Sequence, residues 1–375
     1  MKFVIAPDSF KDSMPAAEAA NVMKDAVLRV FPDAELVVQP LGDGGEGTME
    51  SLVSASGGSF REVRVTGPLG DKIAAQYALL GDGKTAVVEL ARASGLQLVP
   101  PDRRNPYLAT TYGTGELILA ALSQNIQRLI VTIGGSATND AGAGMLQALG
   151  AEITDAVGKP IGFGGGCLGE VASIDFSQLD SRLSSVSIQV ACDVTNPLIG
   201  LRGASRVFGP QKGATSDMIE QLENIVTHFA DIVANATGLS VHHISGAGAA
   251  GGTGAALLLC GGMLTSGIDI VLDTVGFDQQ LSRADYVLTG EGRIDNQTPD
   301  GKVIAGIVKR AKAESVPVIA FAGSVKPGYE RLYKEGLLSV HSITSYPCTL
   351  DEALKEGKIN LARTVENTMR LLAAH

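Results

Sequence analysis

The sequence predicts an α/β protein built on a parallel sheet and interrupted by a second α/β domain. Three observations carry this expectation. Short apolar runs alternate with helix-period segments at both ends of the chain, the pattern of βαβ units whose sheet is covered on both faces. Between them the rhythm changes to period-two alternation and Gly-rich turns. The length, 375 residues, suits two or three domains at roughly 150 residues each.

Residues 2–6 (KFVIA) are an apolar run that stops at Pro7 and reads as a buried strand. Asp12 or Ser13 can cap the next helix, whose apolar positions Val22, Met23, Ala26, Val27, Val30 and Phe31 recur near i, i+4 and i+8. Glu35 to Val38 is a second strand and Gly47 to Ala55 a second helix, closed by Gly57-Gly58. The far end repeats this rhythm: strand Tyr286–Thr289, helix Lys302–Ala313, strand Val318–Ala322, a short helix Tyr329–Glu335, strand Leu338–Ile343, and a closing helix Ile359–Ala374. Two N-terminal strands alone cannot bury both faces of a sheet. Residues 1–65 and 283–375 are therefore expected to share one discontinuous domain, with 66–282 inserted between them.

Within the insertion, residues 61–100 (REVRVTGP, AAQYALL, TAVVELA) alternate like antiparallel strands. RLIVTI at 128–133 is a strand followed by a Gly-rich turn and a short helix near 142–149. Ser187–Ala191 is another strand, Asp217–Ala236 a helix, and 245–262 an Ala/Gly segment.

Composition narrows the function. Glycine makes up 46 of 375 residues, about 12% against a usual value of about 7%. These glycines are not periodic and cluster beside apolar segments, as in loops that bring backbone close to a ligand. Lys plus Arg is 30 and Asp plus Glu is 40, a formal charge of -10, with no long basic run, so no nucleic-acid footprint is present. Cys167, Cys192, Cys260 and Cys348 are far apart without CxxC spacing, which fits reduced thiols. The apolar start is too short for a signal peptide, and the longest apolar-rich stretch, Ala255–Leu264, is far short of the roughly 20 residues that span a bilayer. A cytoplasmic protein without membrane contact is expected.

Six polar loops, four of them Gly-containing, lie directly beside these elements: 7–11 (PDSFK), 42–48 (GDGGEGT), 134–140 (GGSATND), 192–197 (CDVTNP), 246–254 (GAGAAGGTG) and 289–295 (TGEGRID). One such loop is ordinarily just a turn, since turns require these residues. Six together, five with a carboxylate, suggest the crevice beyond the carboxyl ends of parallel strands, where ligands bind and helix N-termini face anions. Gly246–Gly251 matches GxGxxG with Asp273 beyond it, but Gly238–Ile244 makes a poor preceding strand. It reads as a phosphate or close-packing loop rather than a dinucleotide fingerprint. GxxxxGK[ST] is absent, so ATP, if used, is bound without a Walker loop, and the absence of HExxH and GxSxG argues against zinc chemistry and a hydrolase. The remaining donors suit Mg²⁺, which takes one or two carboxylates and keeps waters and substrate phosphates. Phosphoryl transfer needs such anion cradles, a metal and a carboxylate at the acceptor hydroxyl.

APDSFK at 6–11, DGGEGT at 43–48, IGGSATND at 133–140, CDVTNPL at 192–198, FGPQKGA at 208–214, GAGAAGGTG at 246–254 and TGEGRIDNQT at 289–298 resemble, in order and over nearly the whole chain, the bacterial type-1 glycerate kinase family. The resemblance implies ATP-dependent phosphorylation of D-glycerate with Mg²⁺, most often at the 2-hydroxyl; a 3-phosphorylating kinase and a non-catalytic metabolite sensor are the alternatives. It also implies a flavodoxin-like domain split by an inserted α/β domain. Asp12 stands where the family usually has Gly.

The candidate residues follow from their loops. Lys11 is expected to hold the glycerate carboxylate or a transferring phosphate, with Asp8 and Ser9 beside it. Asp43 is the metal or substrate carboxylate of its loop, while Glu46 can cap the following helix. Ser136, Asn139 and Asp140 with the Gly134 and Gly135 amides form a phosphate cradle, joined by Gly246 and Gly248. Asp193, at a strand end, is the base or metal ligand. Arg293 and Asp295 supply a cationic clamp and a further carboxylate. Lys212 and Lys302 rank lower, because a lysine at a helix start is usually solvated.

Overall fold

The structure is a computed structural model that describes residues 1–42, 47–299 and 303–374. Its strands in chain order are β1 (Lys2–Ile5), β2 (Glu35–Val38), β3 (Ser59–Thr66), β4 (Lys72–Leu79), β5 (Thr85–Glu89) and β6 (Arg128–Thr132). Then come β7 (Glu152–Thr154), β8 (Ser173–Asp175), β9 (Ser187–Ala191), β10 (Met263–Thr265), β11 (Tyr286–Ile294), β12 (Val318–Val325) and β13 (Leu337–Ser342). Two compact units result, residues 1–55 with 268–375, and residues 56–267.

In the first unit five strands run parallel in the order β2-β1-β11-β12-β13. Counted within the unit this is 2-1-3-4-5, the flavodoxin-like order. β1 pairs with β11 in the register Phe3↔Tyr286, Val4↔Val287, Ile5↔Leu288, joining the two ends of the sequence in one sheet. Phe3, Ile5, Leu288, Ile319 and Phe321 cover one face and pack under helices Ala16–Leu28 and Leu350–Ala373. The alternate residues Val4, Val287 and Val318 are buried as well. Burial on both faces explains why these strands read as continuous apolar runs. Each fully buried side chain such as Phe3 or Phe321 contributes roughly 1.5–3 kcal/mol relative to exposure.

Several sequence expectations change here. The domain crossings fall near 56 and 268 rather than 66 and 283, because β3 pairs along its whole length with β4 of the second unit. The first helix begins after Pro15 with no side-chain cap. Asp12 instead adopts a left-handed backbone with φ of 62°, and the Ser13 hydroxyl donates to the Leu354 carbonyl at 2.7 Å. The closing helix starts at Leu350, not Ile359, on a capping box made by Thr349 and Glu352. Its exposed first turns (Leu350 is 73% exposed) carry little apolar periodicity, which hid them.

The second unit is a six-stranded mixed sheet, β10-β9-β6-β5-β4-β3. β3, β4 and β5 are antiparallel neighbours, whereas β5, β6, β9 and β10 are parallel, so TAVVE belongs to both patterns. β7 and β8 form a separate antiparallel pair. A helix at Tyr112–Leu122 carries no amphipathic signature in the sequence, because it is apolar on most sides and Leu117, Ile118, Ala121 and Leu122 are all buried.

Candidate active site

In a 2-1-3-4-5 sheet the strand order reverses between the first and third strands, and ligands bind beyond the carboxyl ends there. That switch point is the β1/β11 pair. β1 runs into Asp8, Ser9 and Lys11; β11 carries Glu291 and Arg293 and runs into Asp295. The two segments touch, since a Cβ on Gly292 would lie 3.3 Å from the Lys11 backbone nitrogen. Asp8 donates its N–H to the Gly290 carbonyl at 2.8 Å and accepts from the Ser9 N–H at 2.6 Å, which holds the loop against β11. Arg293 is exposed and its Nε lies 2.8 Å from Asp295 Oδ2. The other Asp295 oxygen accepts from the Gln297 N–H at 2.9 Å, and Thr298 donates to the buried Glu291 carboxylate at 2.9 Å. Lys11 is exposed and lines a cavity of about 420 Å³ together with Asp8, Ser9, Gly42 and Ser51. Asp43, Glu46 and Lys302 lie outside the described residues.

In the second unit the loop after β6 holds residues 133–140. Gly134 and Gly135 are exposed, and a Cβ on Gly134 would meet nothing within 4 Å. The rest of the loop turns inward. Ser136 is 6% exposed, and its hydroxyl oxygen accepts from the Lys212 ammonium at 2.8 Å. Lys212 also donates to the Thr138 carbonyl at 2.6 Å. Lys212 is fully buried, contrary to the expectation of a solvated lysine, because it lies in a short 3₁₀ turn that closes onto this loop. Burial pushes its pKa down to about 7, and the Asp140 charge opposes that shift.

Asp140 is buried and anchors the loop. It accepts from the Thr111 N–H and hydroxyl, both at 2.8 Å, and from the Gly142 and Gly144 N–H groups. Burial raises its pKa despite these donors. Asn139 is equally enclosed, donating to the Ser205 hydroxyl at 3.0 Å. The groups of this loop that face outward are therefore Gly134, Gly135 and the edge of Ser136.

Gly246 and Gly248 bring neighbouring loops together. The Gly248 N–H is donated to the Asn196 carbonyl at 3.0 Å, and a Cβ there would sit 2.1 Å from the Pro197 carbonyl oxygen. A Cβ on Gly246 would lie 2.8 Å from Leu264. Asp273, the acidic residue after the GxGxxG run, is paired with Arg310 at 2.7 Å. Asp193 stands exposed just beyond β9, where its carboxylate accepts from the Gly267 N–H at 2.9 Å and the Ser266 hydroxyl at 3.1 Å.

Sequence reading ranked the buried Lys212 too low and assigned no role to the buried Glu291, Glu223 and Glu89, the last at the end of β5 beside Arg92. Glu89 ends an apolar strand run, Ala86 to Val88, followed by Leu90, the one signal that could have marked it, whereas Glu291 lies between two glycines and carries no such signal. Among the described residues no group of three or more His, Cys, Asp or Glu side chains is gathered as a metal-ligating set. Mg²⁺ needs only one or two carboxylates, and the exposed Asp193 at a strand end fits that demand. No helix among the described residues is long and apolar enough to cross a membrane.

A flavodoxin-like sheet with a charged switch point, joined to a second parallel array that ends in Gly-rich loops, defines an α/β enzyme. The profile of the glycerate kinase family matches residues 3–373. The chain is 51% identical over 374 residues to a glycerate kinase of Haemophilus influenzae, covering 100% of this chain and 99% of that one. It is 48% identical over 374 residues to an Escherichia coli protein named glycerate 2-kinase, covering 100% and 98%. A crystal structure from Salmonella typhimurium LT2, provisionally named glycerate kinase 2, matches with a TM-score of 0.91 and 49% identity, covering 100% and 98%. The chain belongs to the glycerate kinase family and is a phosphotransferase with an alcohol group as acceptor.

Proposed function

We propose that the enzyme transfers the γ-phosphoryl group of ATP to the 2-hydroxyl of D-glycerate, giving 2-phosphoglycerate and ADP. The observation that carries this reading is the placement of the Lys11 backbone against Gly292, next in the chain to the Asp295-paired Arg293, at the switch point of the first unit. Both reactants are anions, and a strongly acidic chain needs local cations to bind them. The similarity to the Escherichia coli protein named glycerate 2-kinase supports the 2-position.

In this reading Lys11 holds the glycerate carboxylate or the transferring phosphate, with Asp8 and Ser9 shaping its loop. Arg293, kept in place by Asp295, neutralises charge that develops on the transferring group. Gly134, Gly135 and Ser136 hold a phosphate of ATP or of the product. Asn139, Asp140, Gly246 and Gly248 shape that cradle from behind. Asp193 takes the proton of the acceptor hydroxyl as its oxygen bonds to the γ-phosphorus and the bond to the β–γ bridging oxygen breaks, releasing ADP. Mg²⁺, held by Asp193 or Asp43, would neutralise the phosphate oxygens. Such a reaction belongs in the cytoplasm, where ATP is kept.

The test is ADP release with D-glycerate and ATP, coupled to phosphorus NMR of the product. A phosphorus signal split by the single proton of the secondary carbon supports 2-phosphoglycerate. Splitting by a methylene pair means the 3-product, and glycerate binding without turnover means a sensor.

A further inference from the structure

A second cavity in the first unit, about 360 Å³, opens between the carboxyl ends of β11, β12 and β13 and the start of the closing helix. Its walls differ from those of the switch-point cavity. Phe10, Ile343, Leu350 and Leu354 are apolar, and Asn360 stands among them. Asn360 is 4% exposed, and its Oδ1 has no hydrogen-bond partner. A buried acceptor left unmatched carries its full desolvation penalty, so a donor from a ligand is strongly favoured there. Lys11 lines this cavity as well as the switch-point one.

We propose that this cavity is the subsite for the adenine base of the nucleotide, with the phosphates directed toward Lys11. The inference rests on the ATP reading above. Glycerate is polar at every carbon and gains nothing from apolar walls. A purine has two apolar faces and a polar edge, which matches apolar walls with one amide. Asparagine recognises adenine by accepting from its exocyclic amine and donating to a ring nitrogen, and Asn360 has the acceptor unspent. The volume lies within the range of about 300–1,000 Å³ usual for small-molecule sites. Gly357 keeps the helix close to the Phe10–Met14 loop, since a Cβ there would lie 2.3 Å from the Ser13 hydroxyl oxygen.

Cys348 lines the same cavity and is half-buried, which makes it a reporter. In the unmodified protein, ADP at about ten times its dissociation constant should slow iodoacetamide alkylation of Cys348 by about tenfold. Cys167, in the other unit, should react unchanged, and inorganic tripolyphosphate should give no protection. Ala353→Phe, which fills the cavity from the closing helix, should raise KM for ATP by about tenfold while leaving KM for glycerate unchanged. ADP binding by calorimetry, with unprotected Cys348 and an unaltered KM in Ala353→Phe, overturns the base subsite and leaves the kinase reading standing. Equal protection by tripolyphosphate also overturns it, because the cavity would then hold phosphates. Absence of any ADP binding overturns both readings.

Discussion

The ammonium group of Lys212 donates to the hydroxyl oxygen of Ser136 at 2.8 Å with both side chains buried. While Lys212 is protonated it can only donate, so the Ser136 O–H stays available to a ligand anion. As pH rises through about 7, the neutral amine gains a lone pair that can accept the Ser136 O–H and withdraw it. Asp140 is the charged neighbour that favours the protonated form. KM for ATP should therefore rise with pH across neutrality in the wild type. In Lys212→Met it should be higher at low pH and flat. Stability follows the same group with its own sign. The folded pKa of about 7 lies below the ordinary 10.5, so the unfolded chain binds more protons in that window. Stability of the wild type relative to Lys212→Met should rise from pH 7 to pH 10, read from melting temperatures.

Asp193→Asn keeps the shape of the side chain and removes its charge. If the carboxylate takes the acceptor proton, kcat should fall on the order of 10²–10⁴. Asp193 also accepts from the first N–H of helix Gly267–Thr274, so losing the charge should lower stability by about 0.3–1 kcal/mol. Partial rescue of activity at high Mg²⁺ would identify a metal ligand instead. Full kcat would leave the residue with only the capping role.

Ser136→Ala and Asn139→Ala should separate by readout. Ser136 sits at the edge of the exposed glycines, and its loss should raise KM for a phosphate-bearing ligand by about 1.5–3 kcal/mol in binding free energy. Asn139 is enclosed and bonded to Ser205, so its loss should appear mainly in the urea midpoint. Equal effects of both on KM would mean that the loop rearranges to place Asn139 on the ligand.

Asp12 occupies a left-handed backbone, φ 62°, a region that glycine adopts without steric cost. Aspartate tolerates this region better than alanine does. Asp12→Ala should be less stable than Asp12→Gly by about 1 kcal/mol, measured as paired denaturation midpoints. Equal midpoints would show that the loop relaxes out of this conformation.

Much of this protein is legible without coordinates. The apolar runs around Phe3, Val287 and Ile319 specify buried parallel strands, because residues covered on both faces lose the alternation of half-exposed strands. Chain direction then places the polar loops at 7–11, 133–140 and 192–197 at strand carboxyl ends, since each follows its strand. These properties are local, so the order of residues is enough to set them. Which distant segments meet depends on the folded chain. The pairing of Phe3 with Tyr286 brings Asp8 against Gly290 across more than two-thirds of the chain. The inward turn of Asn139 and Asp140 depends on Ser205 and Thr111, which no spacing rule connects to them. Lys212 looks like any surface lysine in its own segment and becomes a buried cation only where that turn closes on the Ser136 loop. Burial and partner identity are sums over contacts remote in sequence, and they set the charge states that chemistry uses.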